Sequence, residues 1–187
     1  GDLAKSIVLS TFHSGRAPLL GIARQLRATD VEYLFGSQYK ASDFTDDALA
    51  RMLDKLSEAG PETLFSSVSL SCLSKFAIPT CRLHADTTSI SLQGEYAESE
   101  DEDYEGLIPC RGYSKDNRPD LKQVIVGKVV NEHGLSVSSM TLNGNTSDVE
   151  FNRLAIQTLS QTFGQRMHEM IYIADSKLVN MPTLKFL

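Results

Sequence analysis

The most constraining stretch of this sequence is its last third, where strand texture gives way to one long helix and then to a short apolar run. Val124–Val130 and Leu135–Leu142 are rich in β-branched residues and flank Asn131-Glu132-His133-Gly134, a short glycine-containing loop that joins them as a hairpin. Ser147 then reads as a helix N-cap with Glu150 three residues on, a capping box. The helix it starts carries an apolar stripe of Phe151, Leu154, Ala155, Leu159 and Phe163. Met170-Ile171-Tyr172-Ile173-Ala174-Asp175 follows, a run of the kind found in strands buried on both faces. A strand reached through a helix can return parallel to an earlier one, whereas a strand reached through a tight turn cannot.

Upstream, Cys81–Leu92 is a further strand, set off by Ile78-Pro79, so the order is β-β-β-α-β. Three antiparallel strands, a crossover helix and a fourth strand parallel to the first are how a ribonuclease-H-like mixed α/β sheet begins, and other mixed α/β folds start similarly. The residues before it read as helical. Pro18 opens a helix with Leu19, Ile22, Ala23 and Leu26 on one face. Thr45 caps a second, over Thr45–Ala59, with Leu49, Met52, Leu53 and Leu56 as its buried stripe. Gly60 stops it, and Pro61 opens a third whose Phe65, Val68, Cys72 and Phe76 are expected in the core. The expected division is a helical region over 1–79 and a partial ribonuclease-H-like domain over 80–187.

Composition limits the classes open to this chain. At 41% hydrophobic and 22% charged residues over a length of 187, it has the makeup of a globular protein with one good core or two small ones. No apolar run approaches the ~20 residues that span a bilayer, and the first residues lack a secretory layout, so a cytoplasmic protein away from membranes is expected. Three cysteines without CxxC spacing argue against a disulfide framework or a zinc site. The net charge of -6 argues against nucleic acid on its face. Seven of the acids, however, fall in the eleven residues from Glu95 to Glu105, a block expected to be a solvated loop. Without that block the balance is close to neutral.

Two acids stand out by position: Asp86 within the first strand and Asp175 at the end of the fourth. If those strands are neighbours, the carboxylates lie side by side and repel unless a cation sits between them. Mg²⁺ takes oxygen ligands of this kind and adds substrate phosphate. Two such ions about 4 Å apart can activate a water or a 3′-hydroxyl and stabilise the leaving oxygen of an in-line displacement. The plainer alternative is that each aspartate is a turn former or a helix cap.

Four motifs bear on that choice. They are His84-Ala85-Asp86-Thr87-Thr88-Ser89 with Gly94 and Tyr96, the run Gly112-Tyr113-Ser114-Lys115-Asp116-Asn117-Arg118-Pro119-Asp120-Leu121-Lys122-Gln123, Gly144-Asn145-Thr146-Ser147-Asp148, and Tyr172-Ile173-Ala174-Asp175-Ser176. In this order they resemble the first-aspartate strand, the G-x-SKD-x-RPDLKQ signature, the GN-x-SD segment and the second-aspartate strand of bacterial insertion-sequence transposases of the DDE type, in the IS4-like superfamily. The resemblance implies a ribonuclease-H-like fold and hydroxyl attack on phosphodiesters at transposon ends. It implies Mg²⁺ or Mn²⁺, two ions in the complete enzyme, with Asp86 and Asp175 as catalytic metal ligands. It also implies DNA as partner and a homo-oligomer in the active complex. Lys115, Arg118 and Lys122 are then candidate contacts to the DNA backbone, or else cations that neutralise the acids before them. Asp148, beside the capping box, reads as structural, and His84 as a packed or hydrogen-bonded histidine on the same strand face as Asp86. The family's third acid, the glutamate of a Tyr-x₂-Arg-x₃-Glu-x₆-Lys pattern, is absent, so the chain is expected to be truncated before it. The alternative expectation is an inactive remnant that binds DNA or a partner and regulates transposition.

Overall fold

A computed structural model of the chain describes residues 1–12, 17–96, 106–115 and 117–175. Most of the acidic block, Asp116 and Ser176 lie outside the described residues. The chain divides into two compact units, Gly1–Pro61 and Glu62–Leu187.

The first unit holds α1 (Asp2–Ser10), α2 (Leu19–Arg27), α3 (Val31–Phe35) and α4 (Asp46–Glu58). Local chemistry sets its helix starts. Asp30 accepts from the Tyr33 N–H at 3.0 Å, and Thr45 Oγ1 accepts from the Ala48 N–H at 3.1 Å, so each satisfies a backbone donor that the first turn leaves unpaired. Its core is Ile22, Ala23 and Leu26 from α2, Val31 and Phe35 from α3, Phe44, and Leu49 from α4. The expected α2 stripe is therefore in place. Of the α4 stripe only Leu49 is fully buried, and Leu53 is exposed.

The second unit is α5 (Pro61–Lys75, all but its first residue), β1 (Arg82–Leu92), β2 (Lys122–Asn131), β3 (Ser136–Asn143), α6 (Asp148–Phe163) and β4 (Ile171–Ile173). The sheet order is β3-β2-β1-β4, with β1–β2 and β2–β3 antiparallel and β1–β4 parallel. This is the mixed α/β, ribonuclease-H-like arrangement expected from the order of elements. The hairpin loop is held by Asn131, whose Oδ1 accepts from the His133 and Leu135 N–H groups, and Gly134 takes the left-handed backbone with φ 76°. Helix α6 lies against Leu83, Ala85, Val129 and Val137 through Phe151, Ala155 and Leu159. It approaches so closely that a Cβ on Gly127 would overlap the Phe151 ring.

Three details differ from the sequence reading. The units part after Pro61, whereas the reading divided the chain at 79, because α5 joins the sheet core through Leu70, Leu73 and the following Ile78. Phe65, Val68 and Cys72 of α5, and Phe76 just past its end, are exposed instead of buried. The helix is turned by two polar contacts to the β3 edge, Glu62 accepting from the Thr141 N–H and Ser69 donating to the Ser136 carbonyl. Strand β4 is not buried on both faces either. Ile171 and Ile173 are exposed, because α6 covers only the opposite face, where Tyr172 sits.

Candidate active site

Strand β1 alternates cleanly, with Leu83, Ala85, Thr87 and Ser89 inward and His84, Asp86 and Thr88 outward. His84 thus shares a face with Asp86, as expected. Strand β4 pairs with β1 over three residues only, Arg82↔Ile171, Leu83↔Tyr172 and His84↔Ile173. Asp86 lies two residues past His84 on β1, and Asp175 two residues past Ile173, beyond the end of β4, so the parallel register brings both acids out at the same end of the strand pair. Both acids line one cleft of 310 Å³, together with Thr87, Tyr113, Lys115 and the Gly144–Val149 segment that leads into α6.

Within the cleft, Lys115 and Thr87 form the hub. The Lys115 ammonium donates to the Thr87 carbonyl and, at 3.0 Å, to Thr87 Oγ1, and it stands 3.6 Å from Asp86 Oδ1. Thr87 Oγ1 in turn donates to Asp148 Oδ1 at 2.7 Å, and the Thr87 N–H donates to Asp86 Oδ1 at 2.8 Å. One threonine therefore ties the first acid, the lysine and the start of α6 together. The Asp86 side chain is 89% exposed and lines the cleft, with the Thr87 N–H and Lys115 both on its Oδ1 side.

The two loops that flank the cleft are locked to each other by backbone contact. Cys110 and Gln123 exchange both backbone hydrogen bonds, at 3.2 and 3.0 Å. The buried Gln123 amide donates to the Tyr113 and Gly144 carbonyls at 3.1 and 2.8 Å, while its Oε1 is buried without a partner among the described residues. A Cβ on Gly112 would collide with the Gly144 carbonyl, and one on Gly144 with the Gln123 and Cys110 carbonyls. Both positions need glycine for close backbone approach.

On the far side, Tyr172 fastens β4 to α6. Its hydroxyl donates to Asn152 Oδ1 at 2.7 Å, and the Asn152 amide donates to the Asp148 carbonyl at 2.7 Å. Burial pushes the Tyr172 phenol well above its ordinary pKa, so it stays a neutral donor. Ser147 caps α6 by accepting from the Glu150 N–H at 3.2 Å, but the Glu150 carboxylate is held by Arg153, so the reciprocal half of the expected box goes to an ion pair.

Asp86, Asp175 and Lys115 are thus brought together. Arg118 and Lys122 do not line the cleft: Arg118 is engaged by Asp120 through both carboxylate oxygens, at 2.9 and 2.7 Å, and Lys122 donates to the Tyr96 carbonyl. Asp148, read as structural, does line it. Thr87 and Gln123 were quoted in the motifs but given no role, and their side-chain partners lie at least ten residues away in sequence. Among the described residues, no group of three or more His, Cys, Asp or Glu side chains converges to hold a metal. The cleft is lined by the carboxylates of Asp86, Asp148 and Asp175, hard oxygen donors of the kind that suit Mg²⁺ or Mn²⁺ and not a soft metal. No helix among the described residues is long and apolar enough to cross a membrane.

Residues 1–70 match a family model described as "Domain of unknown function (DUF4277)". No curated protein matches the chain. Among solved structures, a pre-cleavage Mos1 transpososome is similar over 94% of this chain and 58% of that one, at 12% identity and a TM-score of 0.36. A Mos1 transposase paired-end complex with the left transposon end has the same coverage and identity with a TM-score of 0.35. A Mos1 mariner paired end complex with Mn aligns at 13% identity, over 94% of this chain and 59% of that chain, with a TM-score of 0.35. The chain spans under two thirds of the length of these structures, and the overlap is too loose to map one residue onto another.

Proposed function

We propose that this chain supplies the first two carboxylates of a DDE-type transposase, acting in DNA transposition by metal-dependent cleavage and joining of phosphodiesters at transposon ends. The observation that supports this best is that Asp86 and Asp175, each two residues past the paired His84 and Ile173, line one cleft. The four sequence motifs, scattered from His84 to Asp175, all contribute residues to the cleft or to the loops around it. In this reading Asp86 and Asp175 hold the metal, with Mg²⁺ or Mn²⁺ as the resident ion. A divalent cation there supplies charge neutralisation for the phosphate and activation of the attacking hydroxyl.

The chain's own residues do the rest. Lys115 offsets part of the carboxylate charge and fixes Thr87, which holds Asp148 and the α6 start at the cleft wall. Lys115 is placed to meet a phosphate in the cleft. Arg118 and Lys122 serve DNA from outside it, with Arg118 exchanging Asp120 for a backbone phosphate. Among the described residues no glutamate lines the cleft, whose third acid is Asp148, and in this reading the protein acts in the cytoplasm as a homo-oligomer.

Titration calorimetry with Mn²⁺ tests the metal site. Asp86→Asn and Asp175→Asn should each weaken binding by about 100-fold or more, since loss of a direct ligand exceeds the 10- to 100-fold effect of outer-shell changes. Asp120→Asn, outside the cleft, should leave the titration unchanged. An unaltered isotherm for either cleft variant removes the site and the reading with it.

A further inference from the structure

Beside the cleft stands a cation that none of the sequence motifs contains. Lys128 of β2 is directly opposite Asp86 of β1 in the antiparallel ladder, next to the pair Thr87↔Gly127. Thr87 and Gly127 face α6: Thr87 bonds Asp148, and the Phe151 ring takes the place of a Gly127 Cβ. Asp86 and Lys128 are next on each pleat, so both turn to the other face of the sheet, and both are exposed there. Directly opposite residues on one sheet face have Cβ atoms about 4.5–5.5 Å apart, which puts the Lys128 ammonium within reach of a ligand held at Asp86.

The surroundings of Lys128 leave this charge to a ligand. Its outward neighbours on β2 are Val126 and Val130, and the next residue along the rung, on β3, is Ser139. Across Asp86, Lys128 and Ser139 the one acid is Asp86. That carboxylate is met at Oδ1 by the Thr87 N–H at 2.8 Å and by Lys115 at 3.6 Å, and among the described residues it forms no ion pair with Lys128. The other two cations singled out in the sequence are engaged elsewhere, Arg118 by Asp120 and Lys122 at the Tyr96 carbonyl. Asp86 therefore has one ammonium beside it from the loop before β2 and another from β2 itself. A cation bound at Asp86 takes from Lys128 its one opposite charge, and a polyanion that enters the cleft supplies the replacement. A nucleic acid backbone is such a polyanion, and a lysine ammonium meets its phosphates as a point charge.

We infer that Lys128 is a positioning residue for nucleic acid: its ammonium holds a backbone phosphate of the strand that enters the cleft, so that the strand crosses β1 and β2 at the level of Asp86. Such a contact fixes register and carries no sequence information. The inference rests on the phosphoryl-transfer reading of the cleft and adds to it a contact from a residue that does not line the cleft.

The test is free of metal, which separates it from the Mn²⁺ titration. Fluorescence anisotropy of a labelled DNA duplex of arbitrary sequence, in EDTA, gives the affinity of the full chain across a range of salt concentrations. Each phosphate contact adds about 0.9 to the steepness of log K against log salt. Lys128→Gln should lower the steepness by about 0.9 and weaken binding by the same factor on unrelated sequences. Lys128→Arg keeps the charge and should restore the parent slope. Lys75→Gln makes the same charge change on α5, which joins the core on the α6 side of the sheet, and should leave the slope unchanged. Because Lys128 is exposed, its variants should keep the parent's circular dichroism spectrum and thermal midpoint. A parent that binds no duplex at low salt overturns the inference. So does a slope that Lys128→Gln leaves as it was, or that Lys75→Gln lowers equally. The reading beneath it fails separately, through an unaltered Mn²⁺ isotherm for Asp86→Asn.

Discussion

Gly127 shows how a single side chain, by being absent, places an element. It sits in the interior of β2, where glycine is ordinarily a weak choice, and the ring of Phe151 occupies the space its Cβ would take. Replacing it with alanine forces either the ring or all of α6 outward. Gly127→Ala should lower unfolding free energy by about 1–3 kcal/mol, the usual range for overpacking. Adding Phe151→Leu should recover part of that loss, as read by urea denaturation. An alanine variant as stable as the parent would mean that α6 does not approach this closely. The same economy explains Gly112 and Gly144, whose missing side chains let two loops touch beside Asp86. Such glycines are visible in a sequence only as letters of a motif. Their reason is a contact between segments more than twenty residues apart.

At the scale of elements, the start of β1 is held by the turn after β2. The Glu132 carboxylate accepts from the Cys81 and Arg82 N–H groups at 3.2 Å each. Its own backbone N–H, with those two, holds its pKa below the ordinary glutamate value, against a smaller opposing effect of burial. A carboxylate whose folded pKa is depressed adds stability above its unfolded pKa and loses it as the pH falls through the folded one. The parent's urea midpoint should therefore fall more steeply than that of Glu132→Gln as the pH drops from about 5 to about 3. Parallel curves would show that the clamp contributes nothing. Periodicity located these elements well, from the α2 stripe to the N-cap of α6. It failed for α5 and β4 for one physical reason: a pattern tells which residues share a face, but not whether protein or solvent lies against it. Ser69 and Glu62 of α5 face the β3 edge because backbone groups there need partners, and no local pattern records that need.

For the whole molecule, the two units have cores without a residue in common, one around Phe44 and Leu49 and the other around Leu83 and Phe151. Leu49→Ala should destabilise the first unit by about 2–5 kcal/mol. Calorimetry should show that loss in one transition while the other, which contains the cleft, keeps its midpoint. A shift of both would show that the units unfold as one. That Asp86 and Asp175 line one cleft follows from β1 and the end of β4, whose order the hairpin, helix and final apolar run dictate. The hub of the cleft was not legible in the sequence, since Thr87 meets Lys115 and Asp148 only after folding. One consequence follows from the three paired residues that join β4 to β1. So short a ladder can open without the rest of the sheet, since local openings cost far less than global unfolding. The meeting of Asp86 with Asp175 is then a local equilibrium of its own, and anything that bridges the two acids would act as a fastener for the end of the sheet.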